Sequence, residues 1–201
     1  MMDRVIIYIH GQGGNADEAK HYEALFENQK VIGIDYKSET PWEAAEEFPK
    51  LYDALAGKYK SVILIANSIG AYFAMNGLAD NRIEKAIFIS PIVDMEKLIM
   101  DMMGLAKISE DELRDAGVIE TSFGQTLSWE YLSYVRKHPI NWTIPTDILY
   151  GEKDAMTSFE TISKFAKQVG AKLTVMKDGE HWFHTEEQLS FLDDWISKII
   201  S

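Results

Sequence analysis

Six short apolar runs recur along the chain, at residues 5–10 (VIIYIH), 31–35 (VIGID), 62–66 (VILIA), 86–90 (AIFIS), 146–150 (TDILY) and 172–176 (KLTVM). Runs this short, rich in β-branched residues and bounded by Gly, Pro, Asp and Ser, read as buried strands. The stretches between them read as helices. Residues 16–27 follow a glycine-rich loop. Thr40-Pro41-Trp42-Glu43 combines a capping threonine, a proline at the first helical position and a glutamate three residues after the cap, so a helix begins there and runs to about Lys58. Gly70-Ala-Tyr-Phe-Ala-Met opens an apolar helix. Thr157-Ser158-Phe159-Glu160 caps another, which Gly170 ends, and Thr185-Glu186-Glu187-Gln188 caps the last, amphipathic through Leu189, Leu192, Trp195, Ile196 and Ile199. Strands that are apolar throughout and alternate with helices predict an α/β fold: a three-layer α/β/α sandwich whose six-stranded, mainly parallel sheet is covered on both faces.

The alternation lapses over residues 94–141, after the fourth strand. Met95, Met100, Met102 and Met103 fall together there, Ser109-Glu110-Asp111-Glu112 is a second capping signal, and residues 128–138 (SWEYLSYVRKH) predict a helix. This stretch reads as a helical, cap-like insertion within a single domain spanning 1–201. Methionines fill irregular apolar space, so core filling is the default for each, and a pliable pocket lining is the alternative.

Composition narrows the partners. At 201 residues and 46% hydrophobic content the chain can bury a full core. A net charge of −12 repels polyanions, which disfavours nucleic acid and anionic membranes. There is no cysteine, so disulfides and thiolate metal sites are excluded, and neither an H-E-x-x-H motif nor clustered histidines offers a metal site. The apolar run at the start is too short for a signal peptide, and no window is long enough to span a bilayer; a cytoplasmic protein is expected. The oligomeric state is not encoded in any motif.

The chemistry gathers at strand ends. In Ala66-Asn67-Ser68-Ile69-Gly70, small residues flank a serine between a strand and a helix, the G-x-S-x-G pattern with alanine at its first glycine. A sharp turn there lifts the Ser68 hydroxyl clear of the backbone; a helix-capping serine is the bland alternative. His10, Ser68, Asp154 and His181 all lie just past strands and so share the carboxyl edge of the sheet, where such folds bind ligands. A serine hydroxyl becomes a nucleophile only when a base takes its proton and a third group orients that base.

The order Ser68, Asp154, His181, together with His10-Gly11-Gln12-Gly13-Gly14 after the first strand, the Ser68 elbow, Tyr150-Gly151-Glu152-Lys153-Asp154 and Gly179-Glu180-His181, resembles the α/β-hydrolase superfamily over nearly the whole chain, in a small form lacking the usual first two strands. The resemblance implies an esterase-like serine hydrolase acting through an acyl-enzyme on a small-molecule acyl substrate without a cofactor. Ser68 is then the nucleophile, His181 the base and acid, Asp154 the orienting carboxylate, and the backbone N–H groups of Gln12 and Ile69 the oxyanion hole. It also implies that the insertion shapes the acyl pocket. His184 competes as the base and Asp94 as the acid, Asp178 and Glu180 read as solvated loop charges, and His10 reads as a brace for the oxyanion loop. Serine at 68 disfavours the aspartate-nucleophile branch of the fold.

Two other readings compete. Gly11-Gln12-Gly13-Gly14-Asn15-Ala16 after a strand also fits G-x-G-x-x-A, with Asp35 placed to hold a ribose hydroxyl, which describes a dinucleotide-binding oxidoreductase. That reading leaves Ser68, Asp154 and His181 unused. A non-catalytic ligand-binding or interaction protein on the hydrolase fold is the second, and the presence of all three triad candidates disfavours it.

Overall fold

The computed structural model describes residues 2–26 and 29–200; the expected end of the first helix at Glu27 lies outside them. In chain order the elements are β1 (Met2–Ile9), a 3-10 helical segment (Ala16–Leu25), β2 (Lys30–Gly33), α1 (Pro41–Ala56), β3 (Tyr59–Asn67), α2 (Ile69–Gly77) and β4 (Lys85–Ile89). Then follow α3 (Met95–Ala106), α4 (Glu110–Ala116), β5 (Val118–Glu120), β6 (Thr126–Ser128), α5 (Trp129–Lys137), β7 (Thr146–Gly151), α6 (Phe159–Val169), β8 (Lys172–Met176) and α7 (Glu186–Ile200).

Six strands form one sheet in the order β2-β1-β3-β4-β7-β8, every neighbouring pair parallel. The chain winds outward from β1 to β2 and then returns to β3 on the other side of β1. The crevice beyond the carboxyl ends of β1 and β3 is therefore the switch point, where two loops diverge and leave room for a ligand. Strand alternation divides the core in two. Ile6 and Tyr8 of β1, Ile63 and Ile65 of β3, and Ile87 and Ile89 of β4 pack in one cluster with Tyr22, Leu192, Trp195 and Ile196, the face that the 3-10 segment and α7 cover. Their alternates Val5, Ile7, Ile9, Leu64, Ala66 and Phe88 are fully buried on the opposite face. There α1 and α2 pack together, with the rings of Phe48 and Phe73 edge to face at 6.4 Å.

The capping signals act as the sequence predicts. Thr40 accepts from the N–H of Glu43, and the Glu43 carboxylate accepts from the N–H of Thr40. Asn15 and Glu18 form the same reciprocal pair ahead of Ala16. That segment winds as a 3-10 helix, however, where the sequence predicts an α-helix.

Asp94–Ile140 is a compact unit of its own. Its helices α3, α4 and α5 are accompanied by an antiparallel hairpin, β5 paired with β6, which a purely helical reading omits. Leu113, Leu127 and Leu132 are buried. Arg136 joins the helices through Glu96 at 2.7 Å and Glu110 at 2.7 Å. Met95 and Met103 are buried, while Met100 is 36% exposed.

Candidate active site

The turn from β3 into α2 places Ser68 in a backbone conformation that side chains rarely adopt, with φ 50° and ψ −124°. Such a conformation costs about 1–3 kcal/mol and persists only where neighbours impose it. Here the Ser68 N–H donates to the Ile89 carbonyl at 3.0 Å, and the Ser68 carbonyl accepts from Ile92 at 3.1 Å and Ala71 at 3.2 Å. Gly70 allows the close approach the turn needs: a Cβ there would lie 2.2 Å from the carbonyl oxygen of His10. The Ser68 side chain makes no helix-capping bond. Its Oγ lies instead 2.8 Å from Nε2 of His181.

His181 Nδ1 lies 2.7 Å from Oδ2 of Asp154, whose side chain is completely buried. The other oxygen, Oδ1, accepts from the N–H groups of Met156 at 2.7 Å and Thr157 at 3.0 Å. With Oδ1 held by backbone, Oδ2 presents an acceptor to Nδ1, so the ring carries its proton there and keeps Nε2 free to accept from the serine hydroxyl. The loops that deliver the acid and the histidine are docked against each other. Lys153 N–H donates to the Gly179 carbonyl at 2.7 Å, and a Cβ at Gly151 would lie 2.4 Å from the Glu180 carbonyl oxygen.

Ile69 is the first residue of α2, where helix geometry leaves the N–H without an intrahelical acceptor. Among the described residues neither its N–H nor that of Gln12 donates to a protein group. The Gln12 loop is braced from behind. The His10 ring stacks on Tyr36 at 4.3 Å and its Nδ1 donates to the Gly11 carbonyl, while the Tyr36 hydroxyl donates to the His10 carbonyl at 2.9 Å. Burial and then the charges of Glu18 and Glu47 push the Tyr36 hydroxyl up to about 12, so it remains a donor throughout the neutral range.

The competing residues are engaged elsewhere. His184 donates from Nδ1 to the Trp182 carbonyl at 2.7 Å and stacks on the Trp182 ring, which is 73% exposed. Asp94 caps α3, accepting from the N–H of Lys97 at 2.9 Å. Asp178 pairs with Lys153, and Glu180 stands 3.5 Å from His184. The glycine-rich loop after β1 places the Glu18 carboxylate on the N–H of Asn15, a negative group where a dinucleotide would need to seat its pyrophosphate. Among the described residues no group of three or more His, Asp or Glu side chains converges to hold a metal ion, and no helix is long and apolar enough to cross a membrane.

A cavity of about 610 Å³ opens beside Ser68 and His181 and extends along Tyr8, Tyr22, Glu18 and Asn67. None of these four polar residues stands out in the sequence as a site residue. The Asn15-x-x-Glu18 capping box was the available signal, since it turns Glu18 toward the strand ends.

No family model matches this sequence, and no curated protein matches it. Solved structures do resemble it in fold. Est1E from Butyrivibrio proteoclasticus superposes with a TM-score of 0.79 at 20% identity, over 99% of this chain and 87% of that one. Alpha/beta hydrolase domain-containing protein 10 from mouse gives 0.77 at 17% identity, over 98% and 89%. An esterase from Pyrococcus furiosus gives 0.57 at 20%, over 98% and 81%. The parallel sheet in its order, the strained elbow after the third strand and these superpositions together identify the architecture: the chain has the α/β-hydrolase fold.

Proposed function

We propose that the protein is a serine hydrolase that cleaves a carboxylic ester or a related acyl bond through an acyl-enzyme. The observation that carries this reading is the unbroken line from Ser68 Oγ to His181 Nε2 and from His181 Nδ1 to the buried Asp154 carboxylate. In the first half-reaction Ser68 Oγ bonds to the carbonyl carbon as its proton passes to His181 Nε2. The carbonyl oxygen gains the negative charge and faces the N–H groups of Gln12 and Ile69. Collapse of that intermediate breaks the bond to the alcohol, which leaves with the proton from Nε2. A water molecule then attacks the acyl-serine, gives its proton to Nε2, and the acid departs as Ser68 regains its hydrogen. Asp154 stays ionised throughout and stabilises the imidazolium that forms twice per turnover.

The decisive test is labelling with a fluorophosphonate, wild type beside Ser68→Ala, with the modified peptide located by mass. A single adduct on Ser68, absent from the mutant, and loss of p-nitrophenyl acetate turnover by a factor of about 10⁴ or more are expected. A folded protein that takes no adduct and turns over no ester sinks the proposal and returns weight to a ligand-binding role. Because Est1E has been seen with ferulic acid bound, a hydroxycinnamate ester belongs in the first substrate screen.

A further inference from the structure

The cavity beside Ser68 continues to a polar wall that acyl transfer itself does not use. Glu18 stands there, fixed by two bonds: Oε2 accepts from the Tyr8 hydroxyl at 2.5 Å and Oε1 from the Asn15 N–H at 3.2 Å. The Tyr8 oxygen in turn accepts from Nδ2 of Asn67, the residue before the elbow serine, at 2.9 Å. A capping box needs only the Asn15 bond. The Tyr8 bond and the place on the cavity wall are additional. A carboxylate oxygen accepts about two hydrogen bonds, so each oxygen of Glu18 retains an open acceptor position.

The charge of that carboxylate is not cancelled. Among the described residues no Lys or Arg lines the cavity and none pairs with Glu18. His21, also on the wall, is committed to Asp193 at 2.7 Å. The field reaches the neighbouring phenols: burial raises the titration of Tyr8, Tyr22 and Tyr36, and the negative charge of Glu18 raises each further.

We propose that this acidic wall sets specificity: the part of the substrate lying along it ends in a hydrogen-bond donor, a hydroxyl or an ammonium, and a carboxylate-ended substrate is rejected. This rests on the hydrolase reading above. Acceptors facing a donor complete their bonds, whereas a second carboxylate beside Glu18 meets like charge with no cation to relieve it.

Two ester series test it, one with p-nitrophenol as the common leaving group and a straight-chain acyl end varied among methyl, hydroxyl, ammonium and carboxylate, the other an acetate with the same four ends on the alcohol. In at least one series the wild type is expected to favour a donor end over carboxylate by about tenfold or more in kcat/KM, the screened cost of one close like-charge pair. The hydroxyl and ammonium arms separate hydrogen bonding from charge. Glu18→Gln preserves the shape and the capping geometry while removing the charge, and is expected to lower that ratio by about tenfold. Equal rates for all ends in both series overturn the proposal while leaving the hydrolase reading intact, as does an unchanged ratio in folded Glu18→Gln. If the wild type turns over neither p-nitrophenyl acetate nor any member of the series, both readings fall. The wild-type series decides even if the variant does not fold.

Discussion

The strand-end loops and the Asp94–Ile140 unit use the same residue types to opposite ends. At the strand ends, backbone groups hold charged and polar side chains in place: Asp154 is buried with two N–H donors, and Ser68 keeps a strained conformation through three backbone bonds. In Asp94–Ile140, charges sit at the surface and tie helices together side chain to side chain, as Arg136 does with Glu96 and Glu110. Large apolar groups remain in water there, with Leu105 76% and Val118 57% exposed. Precision comes from backbone donors anchored in a sheet, and tolerance from long side chains that exchange water for one another at little net gain.

The sharpest way to break this contrast is to remove one carboxylate from each region. Asp154→Asn is expected to cost a factor of about 10⁴ in kcat, because an amide no longer enforces the tautomer that leaves Nε2 open. Asp94→Asn still caps α3 and is expected to keep its rate within about twofold of wild type. The reverse result in steady-state assays would move the acid into the inserted unit. Stability sharpens the same contrast at smaller scale. Phe88 is fully buried between Ala66 and Ile148, so Phe88→Ala is expected to cost about 3–5 kcal/mol by urea denaturation. Arg136→Ala, which breaks two exposed ion pairs, is expected to cost about 1 kcal/mol or less. The last effect is one of pH. Tyr8, Tyr22 and Tyr36 hold their protons to higher pH when folded than the free side chain does, so above about pH 10 the unfolded chain releases protons that the native state keeps. Stability then falls as pH rises through that range. A melting temperature that is flat from pH 9 to 11 would contradict the raised values.

Much of this frame is legible in the sequence because the cues are local. Apolar runs of five or six residues mark the sheet strands to within three residues at each end, β1 and β3 starting three residues earlier than expected, and Thr40 with Glu43 and Ser109 with Glu112 mark helix starts that the structure places on those residues. The hairpin of Val118–Glu120 and Thr126–Ser128 was not legible, since three-residue strands are too short for alternation to register and Val118 faces solvent. The 3-10 winding of Ala16–Leu25 has no periodic signature distinct from an α-helix at this length. At the site, residues that follow strands are readable from position alone: the structure brings Ser68, His181 and Asp154 within hydrogen-bond distance. Glu18, Tyr8 and Asn67 meet because β1, β3 and a capping box converge in space, and no spacing in the chain encodes that.

The docking of the β7 and β8 loops has a consequence for how such a molecule is made. A growing chain that has emerged through β4 already carries Ser68 and the loop bearing Gln12, but the histidine lies 113 residues beyond Ser68, on the far side of the edge strand β8. Asp154 faces His181 with Gly151 packed closely on the backbone of Gly179 and Glu180. On the proposed mechanism, a chain that has not yet closed this last sheet edge holds Ser68 without its base and is chemically mute.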